Sequence, residues 1–446
     1  MRKRVAVIAF SCFSALAVLA LVELVLRMAD LGAPADDPYL DIAGNVKVFV
    51  KTDGYYETRP NRRKLFRYQK FEIKKREGVK RIFCLGGSVV YGFPYSAQGA
   101  FPYFLNYALN TANSSGEVIN AGGIAYASYR VLKVLSEVLE YRPDAVVIMS
   151  GHNEFLEKRV YAKQLATHST VKKLRLFLSK FHIFNLLRHA IEQQPSPGKA
   201  LLGENVSWDF VPRDEKQKKL TEEHYQYTLH KMLELARRKD VPIIFVTLPC
   251  NLKDYPPLGG DASDEAHRLY AQATALLREG KRKEAYTLFR KSADLDEHPI
   301  RVLSRYNEII REVSMEKGAY LADAELVFRN LGDGIPGNEF FLDHVHLKSE
   351  GAELVASVVA EALVKAGLVR NEQLAIVFDG IHKARIQLGA QEEAKARYGA
   401  AYEAFRYLHK NGLAQQLLHE ALEIDPTFTE SQILLNEILS PRVPIP

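Results

Sequence analysis

The residues able to do chemistry sit in four short stretches far apart in the chain. The first is Gly86-Gly87-Ser88, directly after the apolar run Ile82 to Leu85. That run reads as a buried strand. A tight turn follows it, where Cβ atoms would clash, so the two glycines suit it. The turn delivers Ser88 to the start of a helix, where backbone N–H groups favour developing negative charge. Ser88 is then poised as a nucleophile; the plain alternative is an ordinary helix N-cap. The second stretch, Ile119 to Ser128, is a small-residue loop containing Asn120, Gly122, Gly123 and Ala125, able to aim backbone N–H groups into a crevice. In the third, Gly151-His152-Asn153-Glu154, the Asn153 amide can donate to an oxyanion. In the fourth, Asp343 precedes His346 by three residues. An Asp at that spacing can hold the imidazole tautomer while the other ring nitrogen takes a proton from serine.

The elements that must position these groups follow a βα alternation from Val79 onward. Strands are expected at Arg81–Leu85, Val118–Asn120, Ala145–Met149, Val241–Leu248 and, more weakly, Gly318–Ala322. Helices are expected around Phe101–Ala112, Ala127–Tyr141, Lys219–Lys239 and Lys348–Ala366. Continuous apolar strands between amphipathic helices predict an α/β three-layer α/β/α sandwich with a five-stranded parallel sheet. All four stretches follow a strand or lie beside the carboxyl edge of that sheet, where ligands bind in open α/β folds. Asn251 and Asp254, after the fourth strand, share that edge and can help shape a substrate pocket. Turn and cap chemistry is the alternative for both.

Taken together, Gly-Gly-Ser88, the loop after Asn120, Gly151-His152-Asn153 and Asp343-x-x-His346 resemble the four blocks of the SGNH (GDSL-like) hydrolase superfamily, in that family's order. The resemblance covers roughly 79–155 and 240–366 and implies a flavodoxin-like fold and a serine hydrolase acting on esters. It implies Ser88 as nucleophile, His346 as general base and Asp343 as the residue that orients it. The oxyanion hole would use the N–H of Ser88, a backbone N–H of the 122–125 loop (Gly122, Gly123 or Ala125), and Asn153. The sequence departs from the family pattern at Gly87, at Ala125, where a glycine is common, and at Glu154. The G-x-S-x-G elbow of ordinary α/β-hydrolases is absent, with Val90 at its last glycine. No cofactor and no metal are expected. His152, Asp343, His344 and His346 offer metal-ligand atoms, but no H-x-x-x-H spacing supports a metal and such a site would leave Ser88 and Asn153 unexplained.

The 446 residues predict more than one domain. Net charge is +6, from 60 basic and 54 acidic residues, too weak a balance over this length to point to nucleic acid. Cys12, Cys84 and Cys250 match neither a disulfide framework nor a metal spacing, and read as buried thiols. Met1 to Arg4 is basic, and residues 5–26 form a 22-residue stretch broken only by Glu23. That is long enough to span a bilayer. The basic end would stay inside, placing the remainder in the periplasm or cell exterior of a bacterium, anchored to the inner membrane; a cleaved signal peptide is the rival. The expected organisation is an anchor over 1–30, a stalk or N-terminal extension over 31–78 whose later part is ordered, a hydrolase domain over 79–368, and a helical region over 369–446.

Two insertions interrupt the hydrolase domain. Residues 156–206 include the basic, apolar run Lys172 to Lys180, suited either to a membrane surface or to covering the domain. Residues 264–299 contain a segment that returns near the C-terminus. Shifted by 129 residues, Ala285, Leu288, Phe289, Leu295 and Asp296 meet Ala414, Leu417, Leu418, Ile424 and Asp425. Both copies resemble the second helix of a tetratricopeptide repeat. Together with the anchor they resemble a bacterial, membrane-anchored subgroup of SGNH proteins carrying such helices. A lone hairpin cannot bury both faces, so these should pack on the catalytic body, on each other or on a protein partner. Three functions remain open: an esterase on carbohydrate or lipid O-acyl groups, an O-acyltransferase to envelope polysaccharide, and a catalytically vestigial scaffold.

Overall fold

The computed structural model describes residues 2–29, 31, 47–112, 115–155, 178, 181–191, 215–261 and 263–440. The chain forms two compact units, one of residues 1–47 with 157–206, the other of 48–156 with 207–446.

In the first unit, helix α1 (Arg2–Met28) runs for 27 residues. Glu23 in this helix accepts an N–H from His182 at 2.9 Å and from Ile183 at 3.1 Å. Among the described residues no helix is long and apolar enough to cross a membrane; side chains in the first part of α1, Cys12 included, lie outside the described residues. So does the basic run at 172–180, apart from Leu178.

The second unit begins with an antiparallel sheet, β1 (Phe49–Lys51), β2 (Tyr55–Thr58) and β3 (Lys70–Glu72). The later part of the segment expected as a stalk or N-terminal extension thus belongs to this unit, from residue 48 onward. Its cause is aromatic: Phe49 and Phe71 stack edge-on, and both meet Phe83 and Tyr141 of the following fold. The buried carboxylate of Glu137 accepts the N–H groups of Val48 and Phe49 and the Tyr141 hydroxyl.

The main sheet holds β4 (Lys80–Gly86), β5 (Gly116–Gly122), β6 (Ala145–Met149), β7 (Ile243–Val246) and β8 (Ala319–Ala322). Its order is β5-β4-β6-β7-β8 and every pairing is parallel. Between the strands lie α2 (Ser88–Tyr91), α3 (Phe101–Thr111) and α4 (Ser128–Val138). In the first unit α5 (His182–Ile191) packs on α1. The second resumes with α6 (Glu215–Arg237), α7 (Glu265–Arg278), α8 (Arg282–Leu295), α9 (Ser304–Ser314), α10 (Ala324–Leu331) and α11 (Ser349–Lys365). Helix α3 packs on β5 and on α11, which covers β7 and β8; α4, α6 and α9 pack together, with α4 on β4 and α9 on β7 and β8. The residues of β6 and β7 are buried without exception, as a strand covered on both faces requires.

The chain closes with α12 (Leu374–Ile386), α13 (Gly389–Arg406), α14 (Asn411–Ile424) and α15 (Thr429–Leu439). Helix α12 lies on α3. Helices α7 and α8 form one hairpin and α13 and α14 another. Ala285 and Ala414, and Phe289 and Leu418, are all buried, whereas Leu288 is half-buried where Leu417 is buried, and Asp296 is buried where Asp425 is half-buried.

Candidate active site

Strand β4 ends at Gly86, Gly87 caps α2, and Ser88 is the first helical residue. Space dictates both glycines. A Cβ at Gly86 would stand 2.1 Å from the Met149 carbonyl oxygen, and one at Gly87 would stand 2.5 Å from Nδ2 of Asn153. Because Gly87 is the cap, the Ser88 hydroxyl serves another partner. It lies 2.8 Å from Nε2 of His346. Nδ1 of the same ring lies 2.6 Å from Oδ2 of Asp343. A carboxylate there keeps the hydrogen on Nδ1, which leaves Nε2 as acceptor for the serine proton.

The loop carrying Asp343 and His346 is held by its own backbone. Oδ1 of Asp343 accepts the N–H groups of Val345 and His346, each at 2.8 Å, and Leu342 N–H donates to the His346 carbonyl. Burial pushes the Asp343 carboxyl up, but His346, His344 and the hydrogen bonds outweigh it and hold it well below the usual carboxylate range. Burial pulls His346 down, and the charge and hydrogen bond of Asp343 more than offset that, leaving the imidazole above its ordinary value. Phe93 flanks the ring, with centroids 4.9 Å apart.

The oxyanion side corrects part of the sequence reading. Gly122 N–H donates to Oδ1 of Asn120 at 3.0 Å, and Gly123 N–H donates to the Gly86 carbonyl at 2.9 Å. Neither N–H is free for a substrate. Ile124 N–H is also used, by the Leu65 carbonyl. The N–H of Ala125 has no acceptor among the described residues, and Ala125 sits at φ +57°, in the left-handed region where a glycine would be at ease. Nδ2 of Asn153 donates to the Tyr126 carbonyl at 3.1 Å, which fixes the amide and leaves its second hydrogen to spare. The N-terminal extension supports this loop: Phe66 bridges to Gly123, their neighbours Leu65 and Ile124 share the bond just described, and the Phe66 and Tyr126 rings meet edge-on.

Asn251 and Asp254, expected to help shape a substrate pocket, are engaged in hydrogen bonds within the protein. Asn251 is fully buried, donating from Nδ2 to Oδ1 of Asn338 at 2.8 Å and to the Asp343 carbonyl at 3.1 Å. Its Oδ1 accepts the Asp254 N–H, and its own N–H donates to the His344 carbonyl. It is a buttress for the Asp343–His346 loop. Exposed Asp254 accepts the Asn338 N–H and so fixes the adjoining turn. Glu154 is likewise structural: buried, it accepts both the N–H and the hydroxyl of Ser128 at the start of α4.

Among the described residues His152 and His344 are not gathered with Asp343 and His346 into one ligand set. His152 is buried and takes the Val302 N–H on Nδ1, and burial drives its pKa well down. Burial also draws His344 down, to about 4. One further residue, missed in the sequence, reaches the site: Glu403 of α13. One carboxyl oxygen of Glu403, one of Asp343 and a ring nitrogen of His346 all lie within 4.8 Å of one another. Those three could close on a cation, but both His346 nitrogens are already bonded, to Asp343 and Ser88. The arrangement is that of a hydroxyl, base and carboxylate set for acyl transfer.

Residues 84–354, well over half of the chain, match the GDSL-like lipase/acylhydrolase family. No curated protein matches the chain. Among solved structures, the acetyl xylan esterase AlAXEase is 16% identical, covering 64% of this chain and 99% of its own, with a TM-score of 0.34. A GDSL-like lipase from Bacteroides thetaiotaomicron VPI-5482 is 14% identical, covering 64% and 89%, with a TM-score of 0.32. A catalytic mutant of Axe2, an acetylxylan esterase from Geobacillus stearothermophilus, is 14% identical, covering 64% and 94%, with a TM-score of 0.34.

Proposed function

The chain belongs to the GDSL-like lipase/acylhydrolase family, an ester-hydrolysing enzyme of SGNH type, and on that premise we propose that it cleaves carboxylic esters through an acyl-serine on Ser88. The observation that carries this reading is the unbroken line from Ser88 Oγ to His346 Nε2 at 2.8 Å and from His346 Nδ1 to Asp343 at 2.6 Å. Ser88 attacks the ester carbonyl as its proton passes to Nε2. The oxyanion receives the N–H of Ser88, the N–H of Ala125 and the second amide hydrogen of Asn153. His346 then returns the proton to the departing alkoxide, and water, activated by the same nitrogen, releases the acid. Preorganised donors of this kind are each worth about 3 kcal/mol of barrier.

The apolar stretch 5–26 supports an N-terminal anchor in a bacterial inner membrane, with the catalytic unit in the periplasm or cell exterior. O-acyl groups on envelope carbohydrate or on lipids are then the available esters, and a sugar hydroxyl in place of water would make the same site an O-acyltransferase. The paired hairpins α7–α8 and α13–α14, with their tetratricopeptide-like spacing, suit a protein partner.

The test is labelling of the purified full chain with a fluorophosphonate serine probe, alongside hydrolysis of p-nitrophenyl acetate. Native protein should label and turn over, and Ser88→Ala should do neither. If Ser88→Ala still labels and turns over, Ser88 is not the nucleophile; if native protein does neither, the site is vestigial and the chain is a scaffold.

A further inference from the structure

Glu403 lies outside residues 84–354, on a helix of the C-terminal segment, yet its carboxyl stands within 4.8 Å of the acting atoms of Asp343 and His346. Its Oε2 is shut off from solvent and has no hydrogen-bond partner. Its backbone is satisfied, since the Glu403 carbonyl accepts the Tyr407 N–H at 2.9 Å, so helix α13 does not need the side chain to hold its end. The positions around it on the same helix, Ala400, Ala401 and Ala404, are small and buried. An unpaired acid among them costs stability that an apolar residue would not. A carboxyl kept at such a position is explained by what it faces.

We propose that Glu403 is a positioning residue for the reaction, acting through His346 as a second carboxyl that stabilises the imidazolium formed when Ser88 gives up its proton. This makes the C-terminal helices part of the catalytic machinery, and it rests on the reading of Ser88, His346 and Asp343 as the reacting groups. Glu403 passes no proton to substrate; it exchanges its own with solvent. Burial pushes its carboxyl up to about 7, against the pull of His346 and with an added push from Asp343, so its charge appears in the range where the base must be neutral. The groups facing it are Asp343 and His346 on the loop before α11, and Tyr255 on the loop after β7, whose hydroxyl is buried. Charged residues on the helices packed against α13 are engaged elsewhere: Glu420 of α14 with Lys348 and Arg397, and Glu437 of α15 with Arg406.

The experiment is the pH profile of kcat and KM on p-nitrophenyl acetate for the full chain and for Glu403→Gln, with Glu403→Asp as the conservative variant and a thermal melt of each. A neighbouring charge at this separation supports a change of about tenfold in the equilibrium it biases. Glu403→Gln should lower kcat by about tenfold with KM little changed, and should move the acidic limb to lower pH, because the imidazolium loses a stabilising neighbour. Glu403→Asp should recover part of both, and the melt of Glu403→Gln should be unchanged or higher. A Gln variant with kcat within twofold and the limb unmoved overturns the proposal, whatever its melting temperature. Labelling of native protein at Ser88 separates the two readings: a labelled, active native chain with an unmoved Gln variant sinks this proposal alone, and an inert native chain sinks both.

Discussion

Replacing Asn251 by alanine should loosen the loop that carries Asp343 and His346 while leaving substrate contacts alone. The substitution removes three hydrogen bonds: to the Asp343 carbonyl at 3.1 Å, to Asn338 at 2.8 Å and from the Asp254 N–H at 3.1 Å. The Asp343 carbonyl is buried and would lose a partner, at a cost of about 1–3 kcal/mol. Asn338 and Asp254 lie nearer solvent and can turn to water, at about 0.5 kcal/mol each. The sum is about 2–4 kcal/mol, which in a unit of this size lowers the melting temperature by roughly 3–6 °C. Activity should fall further than the loss of folded protein explains. The distance from Ser88 to His346 depends on this loop, and a misplacement of about 1 Å can cost about 100-fold. Thermal melts read by far-ultraviolet circular dichroism, with kcat and KM on acetyl and octanoyl p-nitrophenyl esters, measure both effects. A normal melt combined with altered KM or altered preference between the two esters would refute the buttress and restore Asn251 to the pocket wall.

Other outcomes follow from the same geometry. Gly87→Ala should drive the Asn153 amide from its place and lower kcat by about 100-fold with KM little changed, measured on p-nitrophenyl acetate. Ala125→Gly should keep full activity and change stability by no more than about 1 kcal/mol, since relief of the positive φ is offset by a freer unfolded chain; Ala125→Val, β-branched at that φ, should lose most of kcat. Activity should fall as pH drops through a His346 pKa above 6.5, the imidazole being needed in its neutral form. Stability runs differently. The lowered Asp343 pKa contributes stability present above its unfolded value of about 4 and lost as pH falls through the folded one, whereas the raised His346 pKa contributes stability present below about 6.5 and lost as pH rises through the folded one. The pair is therefore most stabilising on the acid side of the activity optimum, a separation that parallel melts and rate profiles would reveal.

Why some of this site was legible in the amino-acid order and some was not comes down to the range of the forces involved. Gly86 and Gly87 are dictated by atoms a Cβ would strike, and Asp343 and His346 meet within one turn, so local sterics and spacing were enough. The central strands β4, β6 and β7 were legible for a similar reason, because apolar runs covered on both sides need no knowledge of their neighbours. The oxyanion donor was different. Gly122, Gly123 and Ala125 look interchangeable along the chain, and the choice among them is made by β4, whose Gly86 carbonyl takes the Gly123 N–H, and by the Asn120 side chain, which takes that of Gly122. Asn251 and Glu154 carried ordinary turn-residue and motif-residue signals; only the buried groups they bond, Asp343 and Ser128, reveal them as supports. Glu403 gave no signal at all, since an acid on an alanine-rich helix reads as a solvated face until α13 is laid beside the histidine. A side chain whose solvation cost is explained only by a distant partner cannot be read from local pattern, and this is the reason a carboxyl on an outlying helix escaped a reading that found the motif blocks.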